Sequence, residues 1–346
     1  MSADAHVKRI VTFGEIMMRL NPPGYLRFVQ AGNWEISYAG GEANVAASLA
    51  QFGMDAAFVT KLPSHEIGQC ALNECRRYGV DTGAIVRGGR RLGLYYVEKG
   101  ASQRASKVIY DREASAIALA KPEEFDWKKI LAGAHWFHFT GITPALSDNC
   151  AAASMEAVKT AKDLGLTVSC DLNYRKKLWT GEKAGRVMGG LMPFVDICIA
   201  NEEDAADIFG IHAEGADVTS GQVRGETYIS VAKQLSGRFN FKKVAITLRG
   251  SVSASDNNWS AMLYQDGEAF FGPAYSIHIV DRVGGGDSFG AALIYSQLSG
   301  WDNQRSINFA AAASCLKHSI EHDFNLINLA EAEALAAGNA SGRVQR

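Results

Sequence analysis

Strand-like apolar segments alternate with helical segments along most of this chain, and this alternation constrains the fold more than any other feature. The apolar segments are RIVTFGEIMMRL, DAAFVTKL, HWFHFTGIT, TVSCDLN, ICIAN and KKVAITLRG. Helical runs such as GGEANVAASLAQFG and CAAASMEAVKTAKDLG lie between them. Strands that are apolar along nearly their whole length are buried on both faces, which is typical of a parallel sheet covered by helices. The pattern therefore predicts an α/β fold whose ligands bind at the carboxyl ends of the strands.

Two stretches depart from this alternation. Between residues 82 and 115 the runs TGAIVRGG, RLGLYYVEKG and SKVIYDREAS are rich in β-forming residues and are separated by Gly and Ser, with no helical run between them. They predict a small antiparallel sheet that projects from the main body. Residues 211–227 show no periodicity, and we interpret them as a surface insertion.

The composition excludes several classes of partner. Of the 346 residues, 47% are hydrophobic and 21% are charged, and the formal net charge is −2. This balance is typical of a soluble globular protein, and no run of like charges marks a nucleic-acid or membrane-surface partner. Glu15 and Arg19 interrupt the apolar N-terminal run, which argues against a signal peptide, and no apolar run is long enough to cross a membrane. We expect a cytoplasmic protein that binds neither nucleic acid nor membrane.

The motif DRVGGGDSFGAAL, residues 281–293, places three glycines and an aspartate at the start of a helical run. A helix N-terminus has unpaired N–H groups and a partial positive charge, and glycine lets an anion approach them. Because Asp287 would repel that anion, we interpret it as a general base for an attacking hydroxyl, with Gly284–Gly286 around the transferred phosphate. A flexible turn followed by an ordinary helix-terminal charge is the alternative, and the motif alone does not decide between them.

A second glycine pair, Gly40 and Gly41, opens the helical run that contains Asn44. Asn44 is either an ordinary helix cap or an amide that contacts a sugar hydroxyl. In a parallel α/β sheet both glycine clusters would lie at the edge where ligands bind. Their coexistence in one chain favours a shared site.

The segments YAGGEANVAASLAQFG and DRVGGGDSFGAALIY resemble the two signatures of the ribokinase-like (PfkB) carbohydrate kinases, and the resemblance extends over about residues 10–330. Within that family, DLNYRKKLW, ITLRGSVSASDNNWSAML and LKHSIEHDFN are similar to the 2-keto-3-deoxygluconate kinase subgroup. The resemblance implies a ribokinase-like three-layer sandwich, one domain over residues 1–346 with β lid segments at 16–38 and 82–115. It also implies phosphorylation of a terminal hydroxyl by ATP with Mg²⁺, and a homo-oligomer formed through the lid. The implied product is 2-keto-3-deoxy-6-phosphogluconate, a substrate of the Entner–Doudoroff aldolase. The need for a monovalent cation stays open.

The same resemblance implies roles for individual residues. Asp287 matches the catalytic base, and Gly284, Gly285 and Gly286 match the anion hole. Implied sugar contacts are Gly40, Gly41, Asn44, Tyr95, Tyr110, Arg112, Arg175 and Asp287. Implied nucleotide contacts are Asn173, Arg175, Asn201, Thr247, Arg249, Gly250, Gly284, Gly286 and Ala311, with Ala311 lining the adenine slot.

The arginines carry the expectation of a sugar acid as substrate. A sugar acid has a carboxylate that ribose and fructose lack, and a guanidinium is its natural partner, so Arg112 or Arg175 would bind it. The alternatives are surface arginines and, for Tyr95 and Tyr110, cross-strand packing in the lid.

One residue departs from the family pattern, and two other functions stay open. The magnesium-associated N-x-x-E motif ends here in Asp204, which is one methylene shorter than Glu. Whether Asp204 reaches a metal is therefore open. The other readings are a PfkB kinase for fructose, ribose, an isomeric dehydro-deoxygluconate or the galactonate epimer, and a non-catalytic sugar-binding protein on the same fold.

Overall fold

The computed structural model describes residues 7–212 and 225–339. Its strands are β1 Arg9–Phe13, β2 Met17–Asn21, β3 Glu35–Ala39, β4 Asp55–Val59, β5 Lys61–Leu62, β6 Val86–Arg87, β7 Gly93–Glu98, β8 Lys107–Asp111, β9 Trp136–Thr140, β10 Thr167–Asp171, β11 Ile197–Ala200, β12 Lys243–Ser251, β13 Asp256–Gln265, β14 Glu268–Phe271 and β15 Tyr275–His278. Its α-helices are α1 Gly41–Gln51, α2 Glu66–Arg77, α3 Trp127–Ile130, α4 Ile142–Leu146, α5 Asp148–Asp163, α6 Gly181–Leu191, α7 Glu202–Phe209, α8 Gly225–Phe239, α9 Gly285–Leu298, α10 Asn303–Lys317 and α11 Leu329–Ala336.

The main sheet has nine strands in the described residues, in the order β14-β13-β12-β11-β10-β9-β1-β4, with β15 also paired to β13. In this sheet β4, β1, β9, β10, β11 and β12 run parallel to one another. Beyond β12, β13 pairs antiparallel with β12, and β14 and β15 pair antiparallel with β13. The predicted α/β fold with a mostly parallel sheet is thus confirmed.

Helices cover both faces of this sheet because successive strand residues point to opposite sides. In β1, Val11 and Phe13 belong to the apolar cluster that includes α5 and α6. Ile10 belongs to the opposite cluster, with residues of α1, α9 and α10. The result is a three-layer arrangement in which the parallel strands end at one common edge.

The second sheet, which we call the small sheet, has the strand order β3-β2-β7-β8. The antiparallel pairing predicted within residues 82–115 is confirmed for β7 and β8. The sheet as a whole is mixed, because β2 and β7 pair in parallel. Residues before β7 do not extend it, since β6 pairs with β5 in a separate two-stranded sheet. Strand propensity locates strands, whereas the partner of each strand depends on contacts far apart in the chain.

Most of the predicted insertion at 211–227 falls on residues 213–224, which lie outside the described residues. Its last residues belong to α8, which begins at Gly225. Within the described ranges, no helix is both long and apolar enough to cross a membrane.

Candidate active site

A cavity of about 830 Å³ lies where the carboxyl ends of the parallel strands, the starts of α1 and α9 and one face of the small sheet meet. Its size suits a small-molecule ligand. Most of the residues singled out from the sequence line it. They are Gly40, Gly41, Asn44, Tyr95, Tyr110, Arg112, Asn173, Arg175, Asn201, Asp204, Thr247, Arg249, Gly284, Gly285, Gly286 and Asp287.

Gly250 and Ala311 are absent from this lining. Thr247, Arg249 and Ser251 line the cavity from β12, and the alternation of a strand turns Gly250 to the other side. Ala311 is fully buried within α10. Ala311 does not line this cavity, and its contact with adenine stays a prediction.

Each of the three glycines before Asp287 meets a different surrounding. Gly284 has a φ of 85°, and a Cβ there would lie 2.1 Å from the carbonyl oxygen of Asp323. A Cβ on Gly285 would lie 2.5 Å from His318 Cε1, whereas a Cβ on Gly286 would have no neighbour within 4 Å. Packing and backbone conformation thus account for two of the glycines, and Gly286 leaves open space at the helix N-terminus.

Asp287 lies in the first turn of α9 and is joined to the start of α1. The amide Nδ2 of Asn44 donates to Asp287 Oδ2 at 2.6 Å. A Cβ on Gly41 would lie 3.6 Å from Asp287 Oδ1, so the two glycine turns do meet at one point. Burial raises the pKa of Asp287 to about 6, against the opposing effect of the Asn44 hydrogen bond. Asn44 therefore orients the carboxylate, and its Oδ1 also accepts the N–H of Gly40, the residue before α1, at 3.3 Å. Its contact with a sugar stays a prediction.

Arg112 already has a carboxylate partner inside the protein. Its Nε donates to Glu15 Oε2 at 2.7 Å, and Ser115 Oγ donates to Glu15 Oε1 at 2.6 Å. Arg112 is one of the two arginines predicted to bind a substrate carboxylate, but its charge is compensated by Glu15, a residue 97 positions away in the chain. Arg112 still lines the cavity, with its guanidinium 5.3 Å from the ring centroid of Tyr110.

Arg175 differs from Arg112 in that no carboxylate of the described residues is paired with it. It lies in the exposed segment after β10. Burial raises the pKa of Asp171, Asp204 and Asp287, and the positive charge of Arg175 opposes each of these shifts. Arg175 is thus a guanidinium available to an anionic ligand among three carboxylates.

In this structure the carboxylate of Asp204 accepts hydrogen bonds from two backbone N–H groups. Its Oδ1 accepts the N–H of Tyr174 at 3.0 Å and its Oδ2 accepts the N–H of Asn201 at 3.3 Å. Asn201 in turn caps α7, since its Oδ1 accepts the N–H of Asp204 at 2.9 Å. In the described residues, no group of three or more His, Cys, Asp or Glu side chains is arranged to hold a metal. The carboxylates at the cavity therefore do not form a complete Mg²⁺ site by themselves. They fit an Mg²⁺ ion that takes one or two carboxylates from the protein and its remaining ligands from phosphate and water.

The aromatic face of the small sheet closes the cavity from the other side. Tyr95 and Tyr110 are cross-strand neighbours whose rings stack with centroids 6.0 Å apart. Tyr95 is buried, and its hydroxyl donates to Asp323 Oδ2 at 2.5 Å. Both tyrosines line the cavity. Cross-strand packing and the hydrogen bond to Asp323 hold Tyr95 in place, whereas Tyr110 is 39% exposed.

Sequence reasoning missed the buried ionic group behind the glycine turn. Arg19 of β2 pairs with Asp281 at 2.6 Å and with Asp323 at 2.5 Å, and all three side chains are buried. The signal was present, because Arg19 is a charge within an apolar strand and Asp281 opens the glycine motif. The ion pair itself could not be predicted, because Arg19 and Asp323 are 304 positions apart in the chain and only the fold brings them together.

Asn173, Thr247 and Arg249, for which the resemblance implies nucleotide contacts, also line the cavity. Asn173 adopts the left-handed region with a φ of 39°, and its N–H donates to Asp171 Oδ1 at 3.2 Å. Non-glycine residues in that region concentrate at functional sites. Arg249 lies over the ring of Trp259 at 5.5 Å.

Comparison with known proteins now decides the family. The profile of the pfkB family carbohydrate kinases matches residues 7–320. This chain belongs to that family. It is similar to the crystal structure of 2-dehydro-3-deoxygluconokinase from Thermotoga maritima, with 52% identity, a TM-score of 0.93 and coverage of 96% of this chain and 99% of that one.

Two curated relatives extend the comparison. 2-Dehydro-3-deoxygalactonokinase of Haloferax volcanii is 32% identical over 333 residues, which are 96% of this chain and 98% of the relative. 2-Dehydro-3-deoxygluconokinase of Thermoproteus tenax is 27% identical over 91% of this chain and 89% of the relative. The chain is a sugar kinase with the ribokinase-like fold, as the sequence resemblance predicts, and family membership implies ATP as the phosphoryl donor.

Proposed function

We propose that this PfkB kinase transfers the γ-phosphoryl group of ATP to the terminal hydroxyl of 2-dehydro-3-deoxygluconate, which is 2-keto-3-deoxygluconate, giving the 6-phosphate. One observation carries the proposal: Asp287, with a pKa of about 6, lies beside the open N-terminus of α9 at Gly286. A base and an anion site are thus adjacent, which is what phosphoryl transfer to a hydroxyl requires.

In the proposed step Asp287 accepts the hydroxyl proton as that oxygen forms its bond to the γ-phosphorus. The bond between the γ-phosphorus and the bridging oxygen breaks, and ADP leaves with the electron pair. Gly284–Gly286 would receive the anionic oxygens at the helix N-terminus, and Asn44 holds Asp287 at 2.6 Å. Mg²⁺ bound with ATP would neutralise phosphate charge, and Asp171 and Asp204 are the carboxylates on that side of the cavity.

The substrate class follows from the arginines. Arg175 is the guanidinium left free for a substrate carboxylate, and Arg112 offers only the N–H groups that Glu15 does not use. This supports a sugar acid over ribose or fructose. The Thermotoga and Thermoproteus relatives, both named 2-dehydro-3-deoxygluconokinase, support the gluconate series.

The galactonate epimer is the second candidate. It is favoured by the Haloferax relative, which is named 2-dehydro-3-deoxygalactonokinase. The two substrates differ at one hydroxyl configuration, and both carry the carboxylate that Arg175 would bind.

The experiment is a coupled assay of ADP release with both dehydro-deoxy acids, 5-dehydro-2-deoxygluconate, ribose and fructose. We expect the highest kcat/KM for 2-dehydro-3-deoxygluconate. A higher value for the galactonate epimer replaces the substrate but keeps the mechanism, and a higher value for a neutral sugar overturns the arginine argument. Sugar affinity without ADP release from any compound indicates a non-catalytic binding protein.

We further propose that residues 1–346 act as one domain in which the small sheet is a lid over the cavity and a surface for self-association. The lid role is supported by Tyr110 and Arg112, which face the cavity from β8 and the segment after it. A cytoplasmic location and a place in the Entner–Doudoroff pathway stay predictions of the sequence analysis.

A further inference from the structure

Lys317, the last residue of α10, is fully buried directly behind the glycine turn. Its Nζ donates to the carbonyl oxygens of Ile320 at 3.2 Å and His322 at 2.7 Å. Its Cε lies 3.3 Å from the position that a Cβ on Gly284 would take. The ammonium is therefore held by backbone oxygens beneath the turn that precedes Asp287.

The charges around Lys317 balance it. Asp281 and Asp323 act on it from the glycine turn and from the segment after α10, while Arg19 and Asp287 act from β2 and α9. The guanidinium of Arg19 donates hydrogen bonds to both Asp281 and Asp323, and the hydroxyl of Tyr95 donates to Asp323. Burial lowers the pKa of Lys317, and Asp281 and Asp323 oppose that shift. The cations of Arg19 and Lys317 and the carboxylates of Asp281 and Asp323 thus lie together in the buried interior, with Asp287 acting from α9. Removing one of these charges leaves another uncompensated.

Carbonyl and carboxylate oxygens of this kind are the ligands that hard cations prefer. We propose that the Lys317 ammonium is a built-in cation that fixes the glycine turn and the charge behind Asp287, in place of a bound monovalent cation. Lys317 does not line the cavity, so it is a positioning residue. The inference rests on the proposed role of Asp287 and deepens it, since it makes the kinase independent of potassium.

A plain structural reading competes with this one. A lysine in the last turn of a helix is stabilising because it interacts favourably with the dipole and the terminal carbonyls. On that reading Lys317→Met loses stability, and no added ion corrects the loss. Sensitivity to small monovalent cations separates the two readings.

The experiment compares wild type, Lys317→Met and the control Lys243→Met in potassium chloride, ammonium chloride and tetramethylammonium chloride at equal ionic strength. Lys243 is a suitable control because it is a partly buried lysine that donates to Asn303 Oδ1 at 2.7 Å and to Gln297, away from the cavity. Two properties are measured, kcat with the sugar that wild type uses best and the melting temperature without substrate.

We expect wild type and Lys243→Met to respond equally to the three salts. Lys317→Met should lose roughly 10- to 100-fold in kcat in tetramethylammonium, the range found when residues that orient the ligands of a metal site are removed. Potassium or ammonium should restore much of that loss and raise the melting temperature of Lys317→Met alone.

Three results overturn the inference. One is stimulation of wild type by potassium, which is measurable even if Lys317→Met does not fold. The second is a Lys317→Met enzyme with normal kcat in every salt, and the third is a loss that no cation restores. If wild type phosphorylates no sugar, the proposed function fails, and the melting temperatures still decide whether the variant binds a cation where the ammonium was.

Discussion

The carboxylate of Asp287 titrates close to neutral pH, and this makes its role visible in a pH profile. Burial raises its pKa to about 6 from the ordinary carboxylate value. The base must be ionised to accept a proton, so kcat/KM should be constant above pH 7 and fall tenfold per unit below about pH 6. Stopped or coupled assays over this range give the midpoint.

A variant of Asn44 tests that assignment. The hydrogen bond from Asn44 lowers the pKa of Asp287, so Asn44→Ala should move the midpoint to higher pH. A midpoint near 4, or one that Asn44→Ala leaves in place, would assign the titration to another group.

The same buried charge should reduce stability at neutral pH. The folded pKa of Asp287 is raised, so the folded state binds the proton more tightly than the unfolded chain, and the penalty grows as pH rises through about 6. Asp287→Asn should therefore raise the free energy of unfolding by about 1–3 kcal/mol at pH 7 and by little at pH 4. Urea denaturation of both proteins at the two pH values measures this difference. An equal difference at both values would indicate that ionisation is not its cause.

Individual residues also show what a sequence can predict of a site. Asp287, Gly41 and Gly286 are recognisable because their chemistry depends on neighbours in the chain and on the helix that follows. Arg112 is recognisable as a cavity residue, but its pairing with Glu15 is not, because that partner is set by the tertiary fold. Asn44 was placed correctly, and its contact with Asp287 joins residues 243 positions apart.

At the level of one element, the N-terminus of α9 offers a matched pair of variants. Gly286→Ala adds a methyl group with no neighbour within 4 Å, so the protein should fold with unchanged or slightly higher stability, because alanine favours helix by about 1 kcal/mol. The methyl group would occupy the space proposed for the phosphate. We expect kcat to fall about 100-fold, the scale of losing one oxyanion contact.

Gly285→Ala is the second variant of the pair and serves as the control for Gly286→Ala. Its methyl group would lie 2.5 Å from the ring of His318, so this variant should lose a few kcal/mol of stability, as overpacked cores do. Thermal melts and steady-state kinetics on both proteins distinguish the two effects. An active Gly286→Ala enzyme would remove the anion site from this helix terminus.

The elements themselves were predictable to different degrees. The buried strands and the helices between them follow from composition and periodicity, since a parallel strand buried on both faces is apolar throughout. The parallel pairing of β2 with β7 was not predictable, because β-propensity carries no information about the partner. The antiparallel edge strands β14 and β15 were likewise not identified.

At the scale of the whole molecule, the small sheet presents two different faces. Tyr95 and Arg19 are opposite each other in register, and Tyr95 pairs with Tyr110 on the cavity face. The alternate register row is apolar and consists of Ile36, Leu20, Tyr96 and Ile109. Ile36 and Ile109 are 57% and 53% exposed, as expected of a surface that a second copy of the chain covers.

We therefore expect a homodimer through this row. Ile36→Lys combined with Ile109→Lys should give a monomer, since charges at both positions would have to be buried in the interface. Sedimentation velocity measures the change, and Leu164→Lys, at an exposed apolar position outside the small sheet, is the control. A wild-type monomer, or a double variant that still dimerises, would place self-association elsewhere or exclude it.

The most direct test of the account is the turnover of Asp287→Asn with 2-dehydro-3-deoxygluconate and ATP. Asparagine keeps the size of the side chain but cannot accept the hydroxyl proton, so kcat should fall by about 10²–10⁴-fold. The affinity for ATP, measured by calorimetry, should stay within a few-fold, because the nucleotide contacts are unchanged. Near-normal turnover by Asp287→Asn would contradict the central claim that this carboxylate is the base of a sugar-acid kinase.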